Sequence, residues 1–591
     1  MNPSQEISRE LQQAIDAEIE ALEESIRALK LRRNTLSPIS CLPPEVLVAI
    51  FTILCVPSTP QGGMPDHHLA RHSVSHVCHQ WREIALNQRL LWSHVNFTTL
   101  SLAGAAEILV RAKSVPLCLE ANISSYRWDD VRFSIFRKEL QEHVHHLRHL
   151  KTSAEPAQFH SILKGLISPA PTLEYLSLAS RDGRRSRTTR EQLLFIPDTL
   201  FDGSTPRLSW LKLRKCNISW RSPLLKGLKY LEIFTPSTNA RPNLAVWLDA
   251  LDEMSQLKTL TLHSASPIAP SFPFDIVRTV TLPSLTRLEL LASPEDCSLA
   301  LAHLDLPALT CLCLSATFMH PNMADLQNLV PYVARHAHGP QDTLPLQSVL
   351  IRSDDYSADI LAWAMPNIGD VLHDPPNLIT TTHPTRVALS FRSDDWLRSG
   401  ARSEILKMAM TGLPLNGLVT LAVHSNCYSH ERDLITQHFW PHVLPKWSLL
   451  QRVILESPVA FGFAVMLLED DDERPLLPSL TELVVVDFSS YLILSLRDAL
   501  MKRVAQGVPV QTLDLCMCTP QSGSCTEKWL RSLSEIVVDV LVSENIEARE
   551  QMMSNWKTVA RGTFQVVDIE SDDSREEYRS DTDRDGIDGR G

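Results

Sequence analysis

The sequence has 591 residues, of which 44% are hydrophobic and 21% are charged, and its formal net charge is −13. This length exceeds what one hydrophobic core usually serves, so several modules or a repeat array are expected. The negative charge argues against a general nucleic-acid binder, whose affinity depends on Lys and Arg neutralising phosphates. Part of the charge lies in residues 561–591, which we predict to be an acidic, disordered tail.

Composition also indicates the compartment. The N-terminus lacks the basic and apolar regions of a secretory signal, and no later segment reaches the about 20 apolar residues that a membrane span needs. The 12 cysteines are scattered along the chain, unlike the cysteines of a small disulfide framework. We therefore expect a cytoplasmic or nuclear protein, or one present in both, that binds no membrane and no nucleic acid.

The first predicted element is a helix within a domain assigned to residues 1–36. Apolar residues recur through residues 5–33 at spacings of four and three, as in the seam of a short coiled coil. The seam residues are Ile15, Ile19, Leu22, Ile26 and Leu29. The pattern predicts either self-association of two chains through residues 5–33 or a polar helix that lies on its own domain, and both readings stay open.

A helical module is predicted next, over residues 37–95. Pro43 and Pro44 precede an almost wholly apolar run from Val46 to Val56, interrupted only by Thr52. Proline suits a helix start, where its missing N–H would have had no partner. One broad apolar face of this helix would be formed by Leu47, Ile50, Phe51 and Leu54.

A second helix of this module is predicted over HHLARHSVSHVCHQWREIAL, residues 67–86, behind a loop of helix breakers. One stripe of it would consist of Val74, Val77, Cys78, Trp81 and Ala85. These short helices carry more apolar surface than about 55 residues can bury alone. Spare apolar surface on a small helical module indicates a partner surface, and the alternative is a helical pair buried within its own domain.

The pattern LPPEVLVAIFTIL…VSHVCHQWREIA…LLW, within residues 39–95, resembles an F-box, although the loop of residues 57–70 is longer than the shortest F-box connections. The following segment, RAKSVPLCLEANIS, is similar to the one behind the F-box in large families from mushroom-forming (basidiomycete) fungi. The resemblance implies a module that binds the Skp adaptor of a cullin–RING ubiquitin ligase. Residues facing the adaptor, or supporting those that do, would be Leu42, Pro43, Glu45, Leu47, Ile50, Phe51 and Leu54. Residues holding the helices together, some of them reaching the adaptor, would be Val77, Cys78, Trp81 and Trp92.

Behind this module, from about residue 147, a phrase with apolar residues at its first, fourth and sixth positions recurs. Side chains alternate between the faces of a strand, so the last two apolar residues point the same way into a core. Recurrence at roughly 20–40 residues indicates stacked units, and one longer gap is expected to hide a strand at Val387. The phrase at Leu208 continues through Cys216 and Ile218, which resembles the leucine-rich repeat. The predicted fold class is therefore α/β: a coiled-coil helix, a helical F-box module, and a degenerate leucine-rich-repeat-like solenoid over residues 96–560.

Two features of the repeat region are candidate substrate-binding sites. In each strand, one residue lies between the two that point into the core, and in the later repeats this residue is apolar. These apolar residues, which include Ile454 and Val484, predict a hydrophobic docking patch. Alternatively, loops or a terminal helix cover the patch. An arginine-rich stretch could dock a phosphorylated or acidic segment, since Arg pairs bidentately with phosphate; alternatively, it is a solvated loop or a nuclear-import signal. The candidate arginines are Arg181, Arg184, Arg185 and Arg187.

Signatures of catalysis are absent from the sequence, which has neither a phosphate-binding glycine loop nor a nucleophile elbow. The histidine cluster at residues 143–149 lacks a second group of ligands at a suitable spacing, so a solvated surface is favoured over a zinc site. We therefore expect no enzyme activity, no catalytic residue, no cofactor and no metal.

The sequence favours a substrate-recognition subunit of a Skp–cullin–F-box (SCF) ubiquitin ligase. Its F-box would bind the Skp adaptor, and its repeat domain would bind an unknown target protein for degradation. The alternative is a leucine-rich-repeat scaffold, a protein-interaction protein that acts without a ligase. Binding of the adaptor discriminates between these two hypotheses.

Overall fold

The computed structural model describes residues 3–55, 67–123, 128–181, 194–236, 241–268, 278–317, 323–339, 344–354, 357–366, 385–392, 401–426, 439–469, 475–486, 492–516 and 531–543. The chain forms two compact units, Met1–Leu228 and Lys229–Gly591, and each is described by itself. Among the described helices, none is long and apolar enough to cross a membrane. The predicted acidic tail and residues 57–66 of the helix-breaking loop lie outside the described residues.

The first unit begins with a long helix, α1 (Pro3–Thr35), where the sequence predicts one. Its seam is exposed: Ile15, Ile19 and Ile26 are each 50% exposed. Whether two chains pair through this seam stays a prediction. The shorter helices of this unit are α2 (Pro44–Cys55), α3 (His67–His76), α4 (His79–Asn87), α5 (Leu102–Ala112), α6 (Asp130–His143) and α7 (Pro156–Leu163).

Local sequence determines where several of these helices begin. The side chains of Ser101 and Asp129 accept hydrogen bonds from the backbone N–H groups of Gly104 and Arg132, at 3.1 and 2.7 Å. These bonds satisfy donors that have no partner inside the first helical turn. Helix α2 begins at Pro44, where the missing N–H costs nothing.

The strands of the first unit are β1 (His94–Asn96), β2 (Leu117–Asn122), β3 (Leu147–Ala154), β4 (Tyr175–Ser180) and β5 (Trp210–Arg214). Each of the first four pairs in parallel with the next strand along the chain. Parallel neighbours need a crossover connection, and α5, α6 and α7 supply the first three. Because the helical region runs directly into β1, the predicted domain boundary after residue 95 falls inside this strand.

The second unit consists largely of strands, joined in several places by helices. Its strands are β6 (Tyr230–Phe234), β7 (Thr259–His263), β8 (Val280–Thr281), β9 (Arg287–Ala292), β10 (Leu304–Asp305), β11 (Cys311–Thr317), β12 (Ser348–Asp354), β13 (Ser357–Trp363), β14 (Val387–Arg392), β15 (Thr420–Asn426), β16 (Arg452–Glu456), β17 (Glu482–Val486), β18 (Thr512–Cys516) and β19 (Asp539–Ser543). Its helices are α8 (Leu244–Asp252), α9 (Pro294–Ala302), α10 (Met323–Ala337), α11 (Ala401–Gly412), α12 (Trp440–Val443), α13 (Ser457–Glu469) and α14 (Leu492–Ala505).

The strands of the second unit pair in the order β6-β7-β9-β11-β14-β13-β12-β15-β16-β17-β18-β19. The short strands β8 and β10 pair separately. Strand β14 lies where a strand was expected at Val387. The sequence prediction missed β13, which is antiparallel to both neighbours because it forms a hairpin with β12. This hairpin interrupts an otherwise parallel arrangement of described strands.

Two buried ladders explain why the repeated phrase folds as strands. Leu231, Leu260, Leu288 and Leu312 occupy one register across four neighbouring strands, and each is 0–1% exposed. A second ladder, two residues further along each strand, consists of Ile233, Leu262, Leu290 and Leu314. Each buried leucine contributes about 1.5–3 kcal/mol relative to an exposed one. The apolar phrase therefore stabilises pairing between neighbouring strands.

Candidate functional site

Helix α2 uses one face to build the core of its own module. Leu47, Phe51 and Cys55 follow one another every four residues, so they lie on one side of the helix, and they are 0–2% exposed. The ring of Phe51 packs against that of the half-buried Trp81, with centroids 4.9 Å apart. Leu47 and Phe51 therefore pack inside the module and are not on its surface.

Another face of α2 is apolar and exposed to solvent. Val46 is 42% exposed, Ile53 is 78% exposed and Leu54 is 52% exposed. The remaining candidates near the start of this helix are the half-buried Leu42 and Ile50 and the exposed Pro43 and Glu45. A helix that is apolar all round is normally covered on every side. The outward residues of α2 thus form a surface suited to an apolar partner.

The predicted second helix of the module is in fact two helices, so the continuous stripe is wrong. Helix α3 ends at His76 and α4 begins at His79. Between them Cys78 is extended, with φ −156° and ψ 172°, and its Sγ accepts a hydrogen bond from the Trp81 N–H at 3.5 Å. Cys78 thus caps α4. Because the chain turns here, Val77 leaves the stripe and is 58% exposed, available to a partner.

A buried arginine that the sequence interpretation missed connects α3 to the end of the module. Arg71 is 4% exposed, and its guanidinium donates to the carbonyl oxygens of Leu91 and His94 at 3.2 and 2.9 Å. Burial lowers its pKa to about 10, so it remains charged at neutral pH. The buried Trp92 lies beneath it, 5.8 Å from the guanidinium, and donates to the Ala85 carbonyl at 2.9 Å. In the sequence, the only indication of this buried role was the position of a lone arginine about one turn before the apolar Val74.

A cavity of about 340 Å³ lies among α3, α4 and α5. Three arginines line it, but each is already bonded to protein. Besides the bonds of Arg71, Arg82 donates to the Ser75 carbonyl at 3.0 Å and Arg111 pairs with Glu107 at 2.8 Å. Arg71 and Arg82 join neighbouring elements and Arg111 pairs within α5, so the cavity is better suited to packing than to binding an anion.

The predicted hydrophobic docking patch is covered in this structure. Ile454 and Val484 are each 3% exposed and belong to a buried cluster against which Met365 packs. Met365 and Pro366, which follow β13, are held against β12 and β15, because the hydroxyls of Ser348 and Thr420 donate to their carbonyls. Of the two readings that the sequence left open, the burial of Ile454 and Val484 agrees with the covered patch and not with an exposed one.

The arginine-rich stretch is described only at its first residue. Arg181 is exposed, and its backbone N–H donates to the Ala154 carbonyl at 2.9 Å. Arg184, Arg185 and Arg187 lie outside the described residues. A further arginine, Arg214 at the end of β5, is close enough that burial and the charge of Arg181 together lower its pKa. Two positive charges therefore approach each other at this end of the strands.

A buried polar network connects three strands of the second unit. His263 and Glu289 are 3.0 Å apart, and Arg287 donates to Glu289 at 3.1 Å and to the Cys311 Sγ at 3.3 Å. The Sγ atoms of Cys311 and Cys313 are 3.5 Å apart. Burial raises the pKa of Glu289, but the bonds from His263 and Arg287 outweigh it and the pKa is lowered. The carboxylate is thus paired on both sides, an arrangement that stabilises strand pairing.

The histidine cluster was the strongest metal candidate in the sequence. Ring nitrogens of His145 and His146 are 2.9 Å apart, and burial together with its histidine neighbours lowers the pKa of His146 to about 4. Within the described ranges, no group of three or more His, Cys, Asp or Glu side chains is arranged to hold a metal ion.

Comparison with known proteins identifies one part of the chain. A search of curated proteins finds no match to this sequence. A scan against protein-family models finds one for the helical module, described as F-box-like and covering residues 39–98. That range contains α2, α3, α4 and β1, so it extends three residues beyond the predicted limit and includes the first strand. Residues 39–98 are an F-box-like domain, and they support the assignment of this chain as an F-box protein.

Proposed function

We propose that this chain is a non-catalytic substrate receptor of an SCF ubiquitin ligase. An F-box domain suggests a substrate-adaptor role in such ligases, and F-box proteins are typically non-catalytic. In this proposal the F-box-like domain binds the Skp adaptor, and the strand-rich remainder binds the target protein.

The observation that carries the proposal is the exposed apolar face of the F-box-like domain. Ile53, Leu54 and Val77 are each more than half exposed, although they belong to a domain with a complete core of its own. Covering such side chains with a partner contributes about 1–2 kcal/mol each. Three of them at one interface would form the kind of apolar anchor that dominates binding energy.

For the remainder of the chain we propose a degenerate leucine-rich-repeat solenoid. Cys216, one residue beyond the turn after β5, supports this assignment, because its Sγ donates to the carbonyls of Leu178 and Arg214 at 3.7 and 3.2 Å. Burial raises the pKa of this thiol to about 12, so it stays a protonated donor. Asn or Cys at this place in a leucine-rich repeat satisfies backbone groups in the same way.

The proposed target site lies among the arginines near Arg181 and Arg214. Guanidinium groups bind carboxylate and phosphate bidentately, so an acidic or phosphorylated segment would fit them. The mechanism would be proximity: a bound target is held at high local concentration beside the ubiquitin-transferring enzyme.

The test is co-purification of the full chain with a Skp adaptor. We expect the double variant Ile53→Asp/Leu54→Asp to lose the adaptor, because two carboxylates cannot be buried against an apolar partner at acceptable cost. Leu47 and Phe51 are unsuitable positions, since both are fully buried and their replacement would unfold the domain. The matched control is Val110→Asp on α5, which is 69% exposed and lies outside residues 39–98.

An unmodified chain that fails to bind the adaptor would instead favour the scaffold that acts without a ligase. An Ile53→Asp/Leu54→Asp variant that binds as well as the Val110→Asp control would refute the proposed interface.

A further inference from the structure

The seam of α1 has a regular heptad register. Ile19 and Ile26 occupy successive a positions, and Leu22 and Leu29 occupy the d positions that follow them. Each of these four side chains is 50–64% exposed, as expected of a helix face with no cover. The next d position on the N-terminal side is Ile15, also 50% exposed. An apolar stripe this regular and this exposed is a surface for another helix.

We propose that the occupant is α1 of a second copy of this chain, running antiparallel. In that pairing Ile19 packs against Leu29 of the second copy, and Ile26 against its Leu22. Two-fold symmetry repeats both contacts, which gives four consecutive apolar layers. The polar Gln12 and Arg33, which occupy the flanking a positions, would lie at the two ends of this core.

Charge complementarity favours α1 of a second copy as the partner and favours the antiparallel direction of that helix. In the antiparallel register, residues at e positions face each other across the core, and so do residues at g positions. Asp16 then faces Lys30 of the other chain, and Glu18 faces its Arg32. Symmetry doubles both pairs, so four opposite-charge pairs flank the four apolar layers.

The parallel alternative is electrostatically unfavourable. In a parallel, in-register pair each g residue faces the e residue five positions later in the other chain. Glu18 would then face Glu23 twice, and neither Asp16 nor Lys30 would meet an opposite charge. Like-charge contacts of this kind are how coiled coils reject a wrong orientation.

One like-charge contact remains in the antiparallel pair, between the two copies of Glu23 at the symmetry axis. The structure already compensates it within each helix. Arg27 donates to Glu23 at 2.9 Å and to Glu24 at 2.9 Å. Arg27, shared between Glu23 and Glu24, therefore offsets part of the negative charge of Glu23 before a second chain approaches, which reduces the repulsion at the axis.

The first experiment measures the mass of the full chain by sedimentation equilibrium at micromolar to tens of micromolar concentrations. We expect dimers for the unmodified chain and monomers for Leu22→Asp/Ile26→Asp, because acidic side chains in two of the layers prevent their burial. Leu31→Asp is the matched control: this residue is also apolar and 49% exposed, but it lies outside the seam. A monomeric unmodified chain, or a double variant that still dimerises, would overturn the proposal.

The second experiment tests direction by charge reversal. We expect Asp16→Lys and Lys30→Glu each to weaken dimerisation at least tenfold, and the combined variant Asp16→Lys/Lys30→Glu to restore it, because the cross-chain pair is re-formed with reversed signs. In a parallel pair neither single change meets a charged partner, so neither would weaken dimerisation. Insensitivity to both reversals, or absence of rescue, would rule out the antiparallel pair. Hydrogen exchange of peptides from α1, measured in each variant, shows whether α1 remains helical.

Discussion

The two apolar faces of α2 should respond differently to the same kind of truncation. Phe51 is fully buried and packs on the ring of Trp81, whereas Ile53, two residues later, is 78% exposed. Replacing a buried Phe by Ala costs about 3–5 kcal/mol, since it removes apolar contacts and leaves a cavity. Replacing Ile53 by Ala removes atoms that already face water, so the cost should stay within about 0.5 kcal/mol.

Amide hydrogen exchange measured by mass spectrometry can report these costs locally, which suits a chain of two units that need not unfold in one step. A loss of about 3 kcal/mol corresponds to exchange roughly a hundredfold faster, since each 1.4 kcal/mol is a factor of ten. We therefore expect peptides spanning α2 and α4 to lose about two orders of magnitude of protection in Phe51→Ala. In Ile53→Ala they should change less than about threefold.

Adaptor affinity, measured by calorimetry on the folded variants, should instead depend on the exposed position, Ile53, and not on the buried one, Phe51. Ile53→Ala should weaken binding about tenfold, the equivalent of burying most of one aliphatic side chain. Equal loss of protection in both variants would mean that the two faces are not distinct. Unchanged affinity in Ile53→Ala would mean that the exposed face does not contact the adaptor.

Two further outcomes follow from single contacts. Cys78→Ser should slow hydrogen exchange in the first turn of α4 by several-fold, because a hydroxyl caps the Trp81 N–H better than a thiol does. Cys78→Ala should accelerate the exchange by several-fold, because alanine cannot cap this N–H. Equal exchange rates in both variants would argue against the cap. Because the pKa of Glu289 is depressed in the folded chain, its stabilising contribution is present above its ordinary value of 4.5 and is lost as the pH falls through the folded pKa. Glu289→Gln should accordingly lower the free energy of unfolding at pH 7 by about 1–3 kcal/mol, which is measured as a lower thermal unfolding temperature. The variant should also lose less stability than the unmodified chain on acidification. An unchanged pH dependence would contradict the assigned network.

The sequence interpretation succeeded where the signal was local or repeated. The long helix α1 and the start of α2 at Pro44 follow from residues within a turn of each other. The strand phrase at Leu208 coincides with β5, and the strand expected at Val387 coincides with β14, because alternation of side chains requires no knowledge of distant contacts. The Leu-Pro-x-Glu and Val-Cys-x-x-Trp-Arg motifs were sufficient to place the F-box-like domain within a few residues of its matched limits.

It failed where a partner distant in sequence decides the outcome. Phe51 and Leu54 looked equivalent in the apolar pattern, but Phe51 is fully buried against Trp81, thirty residues away, whereas Leu54 is 52% exposed. For Ile454 and Val484 the sequence left an exposed and a covered patch open, and only the three-dimensional packing, in which both are 3% exposed within a buried cluster, distinguishes the two. The antiparallel strand β13 was missed because it is defined by its hairpin pairing with β12, which a phrase repeated along the chain does not reveal.

By itself, then, the order of amino acids determined most of the helices and parallel strands, though not β13 or the break between α3 and α4, and it identified the F-box-like module, since capping, periodicity and apolar patterning act over a few residues. Tertiary structure alone decided which apolar side chains pack in the interior and which stay exposed, because burial depends on neighbours brought together from distant parts of the chain. In this protein that distinction separates Leu47 and Phe51, which hold the domain together, from Ile53 and Leu54, which remain available to a partner.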